Sequence, residues 1–280
     1  MGHRLAAVIA TRTDPSVFGS ELRRWRTIRR YSQEELALRA GVSQRHLSFL
    51  ENGRSRPSTE MVTHLSIVLE IPLRARNGLL TAAGFAPSYT DEALDGPRLA
   101  ELRTSLERLL AAHHPFPAYV VNRRWDLELA NPAAATMMAM LLDDDALIEL
   151  GGNVLTLLLH PNGVRRHVRN WNGVAAVLVG RLRSECDHDP TDLELRDVLE
   201  EVLDFPGVAD LPSSVGYPAT SDLLTELDIA IDGRQLRFYT TIMTLSDAVD
   251  VTVSELRLET LLPADTATHV ALTELVGAHP

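Results

Sequence analysis

The sequence predicts two domains of different class. An all-α bundle of five short helices spans residues 19–85, and an α+β domain with about five antiparallel strands and helices spans 98–280. Three observations predict this. The 280 residues exceed one ordinary domain. The early chain carries helical spacing and helix caps, whereas several later stretches alternate apolar and polar residues. The charge also changes sign along the chain. Residues 1–84 hold 13 Arg and 7 acids (13 − 7 = +6), and residues 85–280 hold 14 Arg and 31 acids (14 − 31 = −17), which sum to the formal −11.

Residues 1–18, with the apolar run "LAAVIA", read as an N-terminal arm, because no small-residue cleavage site follows that run. "SELRRWRTIRR" (20–30) lines up Leu22, Trp25 and Ile28 or Arg29 along one helical stripe. Ser32 and Glu35 have the spacing of a capping box, so a helix starts there and runs to Ala40. Gly41 ends it, since glycine takes a left-handed conformation without strain. Val42 plugs the corner, and Ser43 caps a second helix over 44–51 with Leu47 and Leu50 inward. Gln44, Arg45, His46 and Ser48 are left outward near its N-terminal end, which is where a recognition helix meets base edges. Ser58 caps a fourth helix that stops at Pro72, and a fifth ends near Gly84.

This bundle is basic, so attraction to phosphate is local even in an acidic chain. Charges more than about 10 Å away are largely screened at 0.1 M salt. "QEELALRAGVSQRHLSFLENGRSRPS" resembles the xenobiotic-response-element (XRE), lambda-repressor-like helix-turn-helix family. The resemblance implies double-stranded DNA as partner, bound as a homodimer on a palindromic operator. It further implies that Gln33 and Asn52 hold phosphates, that Gln44, Arg45 and Ser48 lie toward bases, and that Arg54 and Arg23 or Arg24 add backbone contacts. Arg45 suits guanine and Gln44 suits adenine. Ser43 and His46 complete the candidate DNA-binding set.

A linker is placed at 86–97, where the composition shifts. A leucine-striped helix follows (97–114), either packed on its own domain or serving as a signalling or dimer helix. Strands are expected at 118–122 and 126–130, and Asn131-Pro132 breaks the second. Helices follow at 133–142, 163–185 and 191–204, with "DDD" (143–145) a solvated loop. Strands at 223–231 and 234–245 are joined by Asp232-Gly233, a tight-turn pair. A third strand lies at 253–262, and a helix capped by Asp265 or Thr266 closes the chain. The order suits one five-stranded sheet with helices over a face.

"PAYVVNRRWDLELANPAAATMM", "LLLHP" and the Arg and Trp around "VRNW" are similar to the MmyB-like ligand-binding domain, whose members resemble PAS folds. The resemblance implies a fatty-acid-like ligand, and residues 203–222 depart from the family's usual pattern. The candidate ligand residues are Arg123, Arg124, Trp125, Asn131 and His160. Strand alternation lets only one of the two Arg face a cavity, where it could pair with a carboxylate head group, with Asn131 adding a hydrogen bond. The other reading is a salt bridge to a nearby acid such as Asp126. Trp125 and Trp171 also suit an ordinary core, and His160 suits a helix end.

Other chemistry is thinly represented. His160, His167, Cys186 and His188 lack tight metal-ligand spacing. Cys186 is the single cysteine and sits among acids, which raise a thiol pKa. No nucleophile elbow or Gly-rich phosphate loop occurs. The expectation is a cytoplasmic, cofactor-free, non-enzymatic regulator with no membrane partner. The alternative is a DNA-binding regulator whose second domain only dimerises or contacts a protein.

Overall fold

The computed structural model describes residues 15–211, 226–231 and 233–277. Residues 1–14 of the expected arm, 223–225 of the expected strand and Asp232 of the expected turn lie outside that set. The chain divides into two units, Met1–Thr90 and Asp91–Pro280.

The first unit is a bundle of α1 (Pro15–Ile28), α2 (Gln33–Arg39), α3 (Gln44–Glu51), α4 (Thr59–Val68) and α5 (Leu73–Ala82). α1 begins inside the segment assigned to the arm. Pro15 occupies a first-turn position where its missing N–H costs nothing, and Phe18 and Gly19 are buried. Gly19 sits where α1 crosses the end of α3. A Cβ there would lie 2.5 Å from the Glu51 carbonyl oxygen and 2.6 Å from that of Leu50. The capping box closes as the spacing demands: Glu35 N–H donates to Ser32 Oγ at 3.0 Å, and Ser32 N–H donates to the Glu35 carboxylate at 3.3 Å. Gly41 has φ +64°, the left-handed value that lets α2 end and α3 begin. Leu22, Trp25, Leu36, Leu47, Leu50 and Leu65 fill the centre. Asn77 of α5 fastens the chain that leaves the bundle, accepting from Ser88 and Tyr89 N–H at 3.0 Å each and donating to Tyr89 O at 2.7 Å.

In the second unit a 3-10 turn (Pro97–Leu99) leads into α6 (Ala100–Ala112). Then come β1 (Ala118–Val121), β2 (Leu127–Ala130), α7 (Pro132–Leu141), α8 (Asp144–Leu150), α9 (Val154–Leu159), α10 (Trp171–His188) and α11 (Leu193–Asp204). β3 (Glu226–Ile231), β4 (Arg234–Thr244), α12 (Val251–Glu255), β5 (Arg257–Pro263) and α13 (Thr266–Gly277) complete it. The five strands form one antiparallel sheet in the order β2-β1-β5-β4-β3. Residues paired across strands share a face. Ala118, Val120 and Leu258 pack with Leu99, Leu106 and Leu110 of the α6 segment, so this leucine helix lies on its own domain. On the opposite face Ile229, Leu236, Phe238 and Leu261 join a large core with α7, α10 and α11.

Several local expectations are corrected by tertiary context. The helix expected over 163–185 starts at Trp171, because Val168 bridges to Ile229 and Arg169 N–H donates to Asp228 O at 2.8 Å. That pairing holds the chain extended after a 3-10 turn at Val164–His167. The "DDD" stretch is a helix start rather than a loop, since the Asp143 side chain accepts from Ala146 N–H at 2.8 Å and caps α8. Val251–Glu255, within and before the expected third strand, is a helical turn capped by Asp250.

Candidate nucleic-acid interface and ligand domain

α3 presents its N-terminal end outward. Gln44 and Arg45 are exposed and His46 and Ser48 are partly so, while Leu47 and Leu50 are buried. The Ser43 oxygen accepts from His46 N–H at 3.1 Å, which starts the helix. The Arg45 guanidinium lies over the Phe49 ring, 5.3 Å from its centroid, so the long side chain rests against its own helix. Arg54 is exposed just beyond α3.

What fixes α3 is Glu51, whose side chain is fully buried. Arg26 of α1 donates to its carboxylate through Nε at 2.6 Å and Nη2 at 3.1 Å. Gln33 of α2 donates at 2.8 Å, and Arg23 approaches at 3.4 Å. Burial alone would push the Glu51 pKa up, but the hydrogen bonds from Arg26 and Gln33 and the Arg26 charge hold it below its ordinary value. One carboxylate thus ties three helices together. Gln33 thus turns one amide N–H inward to Glu51. Asn52 is also engaged within the protein, accepting from Arg23 Nη2 at 2.7 Å and donating to Ser48 O at 2.8 Å. The sequence did contain a signal for Glu51, because it lies four residues after Leu47 on the inward stripe, where an acid needs cationic partners.

In the second unit, Arg123 is held by Asp192 and Glu194 at the start of α11, and its Nε lies 3.5 Å from Glu255. Arg124 lies 3.3 Å from Asp126. The salt-bridge reading of this pair therefore holds, and the head-group role for Arg123 falls away because carboxylates of the chain already surround it. Asn131 is buried and engaged at every atom. Its Oδ1 accepts from Ala134 and Ala118 N–H, and its Nδ2 donates to the carbonyls of Leu110 and Phe116. It caps α7 and ties α6 to β1 instead of meeting a ligand. His160 ends α9 and stands edge-on to Phe205 with centroids 5.0 Å apart. Trp125 is fully buried with φ +68°, a conformation that a bulky residue keeps only when its surroundings over-determine it. The guanidinium groups of Arg181 and Arg257 both lie against its ring, 4.4 Å and 4.8 Å from the centroid.

Residues 22–75 match the helix-turn-helix family, and residues 102–275, more than half of the chain, match the MmyB-like transcription regulator ligand binding domain. The chain belongs to the MmyB-like transcription regulators. It is also 33% identical over 78 residues to the uncharacterized HTH-type transcriptional regulator RghRB of Bacillus subtilis (strain 168), a stretch covering 28% of this chain and 54% of that protein.

The MmyB-like domain contains a polar cluster that the sequence did not reveal. Tyr119 Oη donates to the Glu259 carboxylate at 2.9 Å, and Arg181 Nη1 donates to it at 3.1 Å. Glu185 accepts from Arg181 Nε at 3.2 Å, from Trp125 Nε1 at 3.3 Å and from Arg257. Burial, the Glu259 charge and the hydrogen bond to it push the Tyr119 hydroxyl well above its ordinary range, so it stays protonated. Apart from Arg181 and Glu185, four residues apart on α10, these partners are 60 to 140 residues apart in the chain, which is why no local motif announces the cluster. Among the described residues no helix of this MmyB-like regulator is long and apolar enough to cross a membrane. No group of three or more His, Cys, Asp or Glu among them is placed to hold a metal ion.

Proposed function

We propose that this MmyB-like regulator acts in the cytoplasm as a homodimer that reads a palindromic operator, and that its C-terminal domain takes up a small apolar ligand with a fatty-acid-like chain. The observation that carries the DNA half is the exposed N-terminal face of α3, Gln44, Arg45 and Ser48, on a helix that Glu51 locks to α1 and α2. A recognition helix must keep its register while its side chains stay free to meet base edges, and this arrangement meets both needs. Half-sites one helical turn apart would bring the two copies of α3 into successive major grooves. Ligand alters operator affinity only by favouring one dimer geometry over another, with coupling of about 1–3 kcal/mol as the usual range. The test selects binding sites from random duplexes with the full chain, then measures affinity with and without a broad lipid extract. A palindromic consensus and a shift of about fivefold or more are expected. Failure to enrich any sequence removes the operator reading, and an affinity that no fraction changes removes ligand control.

A further inference from the structure

We propose that the polar end of the ligand docks on Arg181, between α10 and the sheet, and that this end is an uncharged oxygen group such as a hydroxyl or an ester carbonyl. The inference rests on the ligand-binding reading above and specifies its chemistry.

Glu259 of β5 sits in register between Tyr119 of β1 and Ile242 of β4, so the three share the sheet face that α10 covers. Ile242 is nonetheless 45% exposed, and Thr240 and Thr244, which share its face, are exposed too. On α10, Val177, one turn before Arg181, is 41% exposed. The Arg181 side chain is itself 25% exposed. Its Nε and Nη1 hold Glu185 and Glu259, while its Nη2 makes no hydrogen bond among the described residues. Aliphatic surface therefore adjoins one available donor, fixed in place by the Trp125 ring behind it. That is the layout an amphiphile with a single acceptor would use.

Charge decides what the acceptor is. Arg181 and Arg257 face Glu185 and Glu259, so the cluster balances at 2 − 2 = 0. Arg123, the next cation along, is already surrounded by Asp192, Glu194 and Glu255. A ligand carboxylate at Arg181 would meet two carboxylates on the same guanidinium, and their repulsion offsets the attraction. Tyr119 relieves none of this, because its proton is already donated to Glu259. An uncharged oxygen accepts from Nη2 without that repulsion.

The test uses the full chain with bound Nile red, displaced at pH 8 by 1-dodecanol below its solubility limit or by dodecanoate below its micelle concentration. The alcohol is expected to bind tighter by about tenfold or more. Glu259→Gln leaves the cluster at 2 − 1 = +1, so dodecanoate should gain about tenfold while the alcohol changes by less than about threefold. Ile242→Trp, which leaves the charged groups in place, should weaken the alcohol and so locate the chain. Dodecanoate binding the unmodified protein as tightly as the alcohol overturns the uncharged head group, and an Ile242→Trp protein with unchanged affinity overturns the location. If neither compound displaces Nile red and neither is retained in native mass spectrometry, the ligand-binding reading of the whole domain falls, and this proposal with it.

Discussion

Glu51 shows how one side chain sets both stability and register. Because its folded pKa lies below the ordinary 4.5, the unfolded chain binds the proton more readily. Its contribution is thus complete above the unfolded value and is lost as pH falls through the folded one. Melting of the N-terminal unit followed between pH 3 and 7 should therefore show a drop in Tm below about 4.5, and Glu51→Gln should flatten that limb. At pH 7 the same substitution is expected to cost about 3 kcal/mol in urea unfolding, since it strips the charge from a buried pair. Arg45→Ala should instead leave stability near unchanged and relax base preference, at about 1–3 kcal/mol of operator affinity. Equal weakening on all duplexes would mean that Arg45 touches phosphate only. The sequence placed Gln33 and Asn52 beside the recognition helix. It could not show that they meet Glu51 and Arg23, because those contacts depend on how α1 and α2 pack against α3.

At the level of elements, short-range rules carried the first unit and tertiary pairing decided much of the second. Caps at Ser32, Ser43 and Ser58 and the turn at Gly41 depend on neighbours within four residues, so they could be read directly. The start of α10 could not, because Val168 and Arg169 pair with a strand about 60 residues later. The α1–α3 crossing depends on Gly19, where a Cβ would meet two backbone carbonyls. Gly19→Ala is expected to cost about 1–3 kcal/mol in chemical unfolding and to weaken DNA binding by displacing α3. Asn131→Ala removes a helix cap and strips the side-chain partner from the Ala118 N–H of β1 and the Phe116 carbonyl. A destabilisation of about 3 kcal/mol should appear in the transition of the C-terminal unit alone.

For the molecule as a whole, sequence composition already separated a cationic unit from an anionic one. The family matches, helix-turn-helix at 22–75 and MmyB-like ligand-binding domain at 102–275, fall on those two units. What composition could not supply was the balance of charge inside the MmyB-like domain, since Arg181, Glu185, Arg257 and Glu259 look like ordinary surface residues until the sheet gathers them. Operator affinity of the full chain should fall linearly on a log–log plot against salt. Arg54→Ala should lower the slope by about 0.9 for each phosphate that Arg54 neutralises. A slope that the substitution leaves unaltered would remove Arg54 from the interface.

The indole of Trp125, in contact with two guanidinium groups, makes this chain its own optical reporter. Of the three tryptophans, Trp25 is enclosed in the other unit and Trp171 lies under Arg165, 3.5 Å from its ring centroid. Any molecule that shifts Arg181 moves a positive charge across one face of Trp125 and displaces its emission maximum. A titration followed through that emission, and silenced by Trp125→Phe, needs no dye and no label.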